Sequence, residues 1–237
     1  FAAAAEAVFT CPGTVILTGI GKAGIVARKV SATLASTGSP SIFLHPVEAL
    51  HGDLGRLRRG DVVIALSNSG RTEELLRLTD HLKARGARLI AVTADGESAL
   101  AGHADIALCY GEVVEACPMG LAPTASTTCM LALGDALALT VMRMRDFRPE
   151  EFAAFHPGGE LGRRLLRVEE AMTARAGERL PIAPDNLSVR EVLERAERIP
   201  RRAGAVLLTD ADGRLTGIFT DADLRRRLLD EGEALLA

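Results

Sequence analysis

The sequence lacks a strong excess of charge of either sign, and this absence excludes one class of partner. Its 237 residues carry 28 Lys and Arg against 31 Asp and Glu, which gives a formal net charge of -3. No basic field is available to attract a polyanion. We therefore predict a small-molecule ligand rather than a nucleic acid.

Paired cysteines and long apolar runs are also missing. The four cysteines show neither zinc-site nor redox spacing, and four are too few for a disulfide framework in a chain of this size. No uninterrupted apolar stretch approaches the roughly 20 residues of a membrane span, and residues 1–5 lack the basic residues of a secretory signal. We predict a cytoplasmic protein with reduced thiols and no membrane partner. The chain starts without Met and stops without a polar tail, so we expect sequence to be missing at both ends.

Five short apolar runs alternate with segments of helical length. Their hydrophobicity is continuous, which predicts a five-stranded parallel, doubly wound sheet of flavodoxin-like α/β type, covered by helices on both faces. Ligands of such sheets bind beyond the carboxyl ends of the strands, so the polar segments 19–24, 45–55 and 67–74 should converge there. The predicted strands are residues 15–18, 42–44, 62–66, 89–93 and 106–109.

The third strand leads into a turn with the composition of a phosphate site. Ser67, Asn68, Ser69, Gly70, Arg71 and Thr72 precede an amphipathic helix. Hydroxyls and free backbone N–H groups at a helix start favour an anion. An ordinary N-cap explains one hydroxyl but not three, so we predict that this turn holds a phosphorylated small molecule.

Residues 115–124 form a loop that carries one carboxylate, Glu115, before a long apolar helix over about 126–143. Pro118 and Pro123 constrain this loop, and we expect partial burial to raise the pKa of Glu115 toward that of a useful base. Farther on, His156 precedes Pro157 and two glycines, which predicts a sharp bend after a helix.

A second module follows a change of composition near residue 162. A capping box at residues 188–191 opens a helix to about residue 199, strands are predicted at 205–208 and 215–219, and a last helix starts near Thr220. This β-α-β-β-α unit of about 60 residues is too small to bury much core alone, so we expect it to pair with another copy.

Three familiar motifs are rejected. Residues 19–24 match the dinucleotide fingerprint G-x-G-x-x-G, but no acidic residue ends the second strand, where residues 44–46 read Leu-His-Pro. The same segment lacks the Ser or Thr and the glycine spacing of a P-loop. No G-x-S-x-G elbow of a serine hydrolase is present.

Taken together, several segments resemble the arabinose-5-phosphate isomerase family. In that family a sugar isomerase domain, here residues 1–166 with a truncated first helix, precedes CBS domains, here a single repeat at 167–237 with signature 217–224. The matching segments are residues 19–22, 35–38, 45–46, 48–55, 67–70, 115–118, 120–124 and 156–159.

The resemblance implies that the chain interconverts D-arabinose 5-phosphate and D-ribulose 5-phosphate through an enediol, for lipopolysaccharide octulosonate synthesis. The four residues implied to be catalytic are Lys22, Glu74, Glu115 and His156. Lys22 would place an ammonium beside the enediolate, unless it is only a solvated helix-start lysine, and Glu115 would shuttle the proton. Glu74 at a helix start and His156 at a helix end also have ordinary capping interpretations.

The implied substrate-binding residues are Gly38, Ser39, His45, His51, Ser67, Asn68, Ser69 and Thr72. No cofactor is required, and an incidental or inhibitory divalent metal such as zinc would bind at His45. The family also implies a homo-oligomer, a tetramer, and a nucleotide or nucleotide sugar at the CBS module through Thr220 and Asp223, unless that module only dimerises.

Two positions depart from the family pattern. Ala23 replaces a usual Ser, and Arg71 replaces a usual Glu, which would add a cation near the phosphate. Two alternatives stay open at this point. One is a sugar-phosphate sensor without catalysis, and the other is a different sugar-phosphate isomerase, such as a phosphoheptose or hexulose-phosphate enzyme.

Overall fold

The structure of the protein is a computed structural model that describes residues 1–156, 168–172, 180–199 and 204–232. The chain divides into two units, Phe1–Leu165 and Leu166–Ala237. The proline and glycines predicted to bend the chain after His156 lie outside the described residues, as does the composition change near residue 162.

A five-stranded, all-parallel sheet organises the first unit, as predicted. The strand order is β2-β1-β3-β4-β5. Every residue of β1 and β3 is buried, because central strands of a sheet covered on both faces have no solvent side. The strands are β1 (Val15–Gly19), β2 (Ser41–Phe43), β3 (Val62–Leu66), β4 (Arg88–Thr93) and β5 (Ile106–Cys109).

Helices cover both faces of this sheet, and alternate strand residues divide between the two cores. One core takes Leu17 and Ile64 together with α1, α2 and α6, and the other takes Ile16 and Val63 together with α3, α4 and α5. A 3-10 turn, Asp53–Arg56, follows α3. The helices are α1 (Ala2–Phe9), α2 (Gly21–Ser36), α3 (Pro46–Leu50), α4 (Glu73–Ala84), α5 (Ala99–His103), α6 (Ala125–Met144) and α7 (Pro149–Phe155).

Helix α6 is the one helix among the described residues that is long and apolar enough, by length and composition alone, to cross a membrane. Asp135 and Arg143 interrupt its 20 residues, in keeping with the absence of an uninterrupted apolar run of that length in the sequence. A buried core helix passes the same test. Met130, Leu137 and Val141 of α6 are buried in the core that also contains α1 and α2, so packing explains the apolar residues on that side of α6, while Leu139 and Met144 are exposed.

The second unit contains a three-stranded sheet in the order β6-β7-β8, with β6 parallel and β8 antiparallel to β7. Both the helix that the Ser188 capping box opens and the hairpin are confirmed. The structure adds β6, which the sequence did not locate. The elements are α8 (Val168–Ala171), β6 (Ile182–Pro184), α9 (Val189–Glu197), β7 (Ala205–Thr209), β8 (Leu215–Thr220) and α10 (Asp221–Glu231).

Candidate active site

A pocket of about 320 Å³ opens at the carboxyl ends of β1 and β3, where a parallel sheet is expected to bind its ligand. Within the described part of the chain, Lys22 is the one charged residue that lines it. The lining residues are Ile20, Lys22, Ala23, Leu66, Ser67, Asn68, Ser69, Thr72, Pro123, Ser126, Thr127 and Met130.

The turn after β3 supplies the polar side of this pocket. The Ser67 hydroxyl lies 2.8 Å from the Thr72 hydroxyl and accepts a hydrogen bond from the Gly70 amide at 3.1 Å. The amides of Ser69 and Thr72 meet no acceptor among the residues that the structure describes. The turn therefore presents free N–H groups beside hydroxyls at the start of α4, which is the arrangement that binds phosphate in many proteins.

Gly70 allows this turn to close. Its φ of +58° is in the left-handed region, and a Cβ built there would lie 2.1 Å from the Ser98 Oγ. The Gly70 carbonyl accepts a hydrogen bond from the Leu100 amide at 2.9 Å. The turn is thus packed against the start of α5, which leaves no room for any other residue type.

Lys22 reaches the same pocket from the start of α2, where it is exposed. The glycines on either side of Lys22 allow α2 to lie close to β1, because a Cβ on Gly24 would lie 2.6 Å from the Gly19 carbonyl oxygen. Close helix-strand packing is therefore sufficient to explain the dinucleotide-like spacing of these glycines. Ala23, which departs from the family pattern, lies in the pocket wall.

Glu115 is held by the first turn of α6, and its environment contradicts the pKa expected from the sequence. Its Oε2 accepts from the Thr124 amide at 2.6 Å, the Thr124 hydroxyl at 3.0 Å and the Ser126 amide at 3.3 Å. The nearby Ser126 hydroxyl and the Thr124 amide lower the pKa of Glu115 to about 2 instead of raising it. The Ser126 hydroxyl lies near the carboxylate but makes no hydrogen bond within the described residues. We therefore attribute the lowered pKa of Glu115 mainly to the amides of Thr124 and Ser126.

The two oxygens of this carboxylate therefore differ. All three hydrogen bonds converge on Oε2, and no donor among the described residues meets Oε1. Glu115 is thus anchored through one oxygen and open at the other.

Sequence reasoning missed the wall that α6 contributes. Ser126 and Thr127 line the pocket, and the Ser126 hydroxyl is buried with no hydrogen-bond partner in the described part of the chain. The Pro123-Thr124 pair does predict that a helix starts here. It does not predict that the first turn of this helix lies against the pocket.

Of the four residues implied to be catalytic, Lys22 alone lines this pocket, although Glu115 is bonded to the amide of Ser126, which does. Glu74 is half-buried in the first turn of α4, while its neighbour Glu73 is exposed. His156 ends α7, where its Nδ1 lies 2.8 Å from the Phe152 carbonyl oxygen and its ring stacks on Phe152. Helix α6, roughly 30 Å long at 1.5 Å per residue, separates α7 from the pocket in the same chain.

Gly38 and Ser39 were assigned to the substrate site, and neither lines the pocket of its own chain. Both precede β2 and so lie at the amino-terminal edge of the sheet, opposite the pocket. The Ser39 hydroxyl is buried and accepts from the Arg145 Nε at 3.1 Å. The Gly38 φ of +91° and its proximity to the Phe147 ring give this glycine a packing role instead.

His45 and His51 flank α3, on the carboxyl side of β2, but neither lines the pocket. The Nδ1 of His45 accepts from the Val47 amide at 3.3 Å, which puts the proton of the neutral ring on Nε2 and leaves no nitrogen free for a metal. His51 is exposed. The described residues contain no cluster of three metal-binding side chains, so the predicted zinc site at His45 has no supporting ligands there.

Arg71 was expected to add a cation near the phosphate, and the structure pairs it with an acid of the loop after β4. Its guanidinium lies 3.5 Å from the Asp95 carboxylate, with the arginine side chain 73% exposed. Arg71 does not line the pocket described above, but it lines a neighbouring one together with Asn68 and Ser69. An exposed pair of this kind is weak, so the charge of Arg71 stays close to the turn and is only partly offset by Asp95.

Comparison with known proteins agrees with this geometry. Residues 8–140 match the model of the SIS domain. The chain is 48% identical over 226 residues to arabinose 5-phosphate isomerase KpsF of Escherichia coli O6:H1, covering 95% of this chain and 67% of that protein. It is 47% identical to arabinose 5-phosphate isomerase KdsD of Shigella flexneri, covering 95% of this chain and 68% of that protein. The chain belongs to the arabinose 5-phosphate isomerase family.

A solved structure is also similar to this chain. A protein of E. coli CFT073 in complex with A5P superposes with a TM-score of 0.65 at 44% identity, covering 66% of this chain and 84% of that chain. The SIS match includes β1 to β5 and most of α6. Every residue that lines the pocket therefore lies inside the arabinose 5-phosphate isomerase core of the chain.

Proposed function

We propose that this protein is an aldose-ketose isomerase that interconverts D-arabinose 5-phosphate and D-ribulose 5-phosphate. The observation that carries the proposal is the pocket in which Lys22 meets the hydroxyl-rich turn after β3. The names of the relatives agree with it, and so does the A5P complex of the E. coli protein. None of these observations favours the sensor alternative.

The phosphate occupies the turn of Ser67, Ser69 and Thr72 in this proposal. The free amides and the α4 N-terminus attract a dianion, and Asn68 contacts the sugar or its phosphate. The ammonium of Lys22 then stabilises the negative charge that develops on the substrate oxygens, where a fixed cation is most effective.

Glu115 moves the proton. A base removes the hydrogen from C2 of the aldose while O1 gains a proton, which gives the enediol. The enediol then loses the O2 proton and gains one at C1 to become the ketose. The free Oε1 suits this exchange, and the anchored Oε2 keeps the carboxylate in place. The lowered pKa keeps Glu115 deprotonated in the resting enzyme and, for the same reason, makes it a weaker base than the sequence led us to expect.

Glu74 and His156 belong to the proposal as residues of an assembled enzyme. Since His156 ends α7 at a distance from the pocket of its own chain, we assign it to the pocket of a neighbouring subunit in a homotetramer. Glu74 supports the substrate from the first turn of α4.

We further propose that the second unit, residues 167–237, is a CBS module that binds a nucleotide or nucleotide sugar. Thr220 and Asp223 cap α10 reciprocally, with the Asp223 carboxylate 3.1 Å from the Thr220 amide. A phosphate there would compete with this cap.

The proposed isomerase reaction needs no cofactor, takes place in the cytoplasm and supplies lipopolysaccharide synthesis.

Incubation with arabinose 5-phosphate in deuterated water tests the reaction. We expect ribulose 5-phosphate to form and deuterium to appear at C2 of the recovered aldose. Glu115→Gln should abolish both while sugar-phosphate binding persists. Glu97→Gln removes an exposed carboxylate from the loop after β4 and should change neither. Binding by the wild-type protein without turnover would refute the isomerase and support a sensor.

A further inference from the structure

Tyr110 follows β5 and contacts a residue that lines the pocket, although it does not line the pocket itself. Its phenol donates a hydrogen bond of 2.6 Å to the Asn68 Oδ1, and Asn68 lines the pocket. Tyr110 is the one tyrosine in the 237 residues. The roles described above do not use it.

The main chain of Asn68 is already fixed without Tyr110. The Asn68 carbonyl accepts from the Thr93 hydroxyl at 3.1 Å and from the Ala94 amide at 3.1 Å. The side chain is different, because Asn68 is exposed and its carboxamide has no described partner other than the phenol. Without the phenol, rotation about the side-chain bonds of Asn68 would be unrestrained.

The phenol also decides which end of the carboxamide remains available. Since Oδ1 accepts from Tyr110, the two N–H donors on Nδ2 are left without an acceptor among the described residues. A donor pair beside the turn of Ser67 and Ser69 matches the oxygens of a phosphate or of an adjacent sugar hydroxyl.

We propose that Tyr110 is a positioning residue that orients the Asn68 carboxamide so that its Nδ2 donates to the bound sugar phosphate. This inference deepens the proposed function and rests on it. Tyr110 touches no reacting atom, and its effect passes through Asn68.

The surroundings of the phenol preserve its role as donor. Burial, with Cys129 and Glu115 nearby, raises the pKa of Tyr110 to about 12, so the hydroxyl stays protonated throughout the working range of an enzyme. Tyr110 directly follows β5, and its phenol is bonded to the turn that carries Asn68.

Tyr110→Phe tests the inference because it removes the hydroxyl and keeps the ring. We expect the Kd for arabinose 5-phosphate, measured by calorimetry, and the KM to rise about 2- to 10-fold, the range of one net hydrogen bond. The kcat should change by less than about 2-fold. Thr140→Val removes an exposed hydroxyl that bonds a carbonyl within α6 and is the matched control, with both constants unchanged.

The decisive measurement repeats the substitution in an Asn68→Ala background. If Tyr110 acts through Asn68, Tyr110→Phe changes Kd there by less than about 1.5-fold. A full effect in that background, or no effect in the wild-type background, would overturn the inference. Because Kd is measured independently of turnover, an inactive wild-type protein that still binds the sugar phosphate would refute the isomerase while leaving the role of Tyr110 testable.

Discussion

Replacing Gly70 with alanine probes the turn that shapes the pocket. A Cβ at this position would lie 2.1 Å from the Ser98 Oγ, 2.4 Å from the Ser98 Cβ and 3.0 Å from the Thr93 Oγ1. Ser98 is poorly able to yield, since its hydroxyl donates to the Asp95 carbonyl at 2.7 Å and accepts from the Ala101 amide as the N-cap of α5.

Two contributions add to the loss of stability. The left-handed φ costs a residue with a Cβ about 1–2 kcal/mol, and overpacking typically costs about 1–3 kcal/mol. We therefore expect Gly70→Ala to lower the free energy of unfolding of the first unit by about 2–5 kcal/mol. The displaced turn should also weaken sugar-phosphate binding.

Gly111→Ala provides the matched control. Gly111 also has a positive φ, +81°, but a Cβ there meets nothing within 4 Å, so only the backbone cost of about 1–2 kcal/mol applies. Hydrogen exchange of the peptide that contains β3, followed through a urea titration, reports on the first unit alone. Adding Ser98→Gly to Gly70→Ala removes the two nearest atoms and should restore most of the difference. Equal destabilisation by the two alanine variants would refute the steric argument.

Two further outcomes concern charged groups. The carboxylate of Glu115 has a pKa of about 2 in the folded chain against an ordinary 4.5, so its stabilising effect is complete above about pH 4.5 and is lost as the pH falls toward 2. The stability difference between wild type and Glu115→Gln, measured by urea unfolding, should therefore shrink over that interval, and a constant difference would contradict the capping geometry. Because Arg71 is exposed and lies outside the pocket that Lys22 lines, Arg71→Gln should change the KM for arabinose 5-phosphate by less than about 2-fold, and a large rise would place its charge on the phosphate.

The sheet was predictable because its strands carry their own signal. The run at 62–66 has no polar residue and coincides with β3, and the run at 15–18 lies within β1. A central parallel strand must be apolar on both faces, so composition alone identifies it. The short, half-exposed β6 lacks such a run and was not located.

The site was predictable only as far as it depends on local sequence. Ser67, Ser69 and Thr72 come together because one turn contains them. The partners of Glu115 lie 9 and 11 residues farther along the chain, where the fold of the loop brings them back, and Arg71 meets Asp95 from the loop after β4. Neither contact could be inferred from the sequence, and the Glu115 contacts reverse its expected pKa. Gly38 and Ser39 come before β2 and not after it, so they lie at the amino-terminal edge of the sheet. The family resemblance did not indicate at which edge of the sheet these two residues would lie.

The hydrogen bond between Tyr110 and Asn68 also makes the protein its own optical reporter. The chain contains no tryptophan and a single tyrosine, so its intrinsic ultraviolet emission arises beside the pocket, from a phenol bonded to a residue that lines it. A ligand that binds Asn68 changes the surroundings of the Tyr110 phenol directly. Occupancy of the unlabelled protein can thus be followed from one ring, without the background that buried tryptophans contribute in most enzymes.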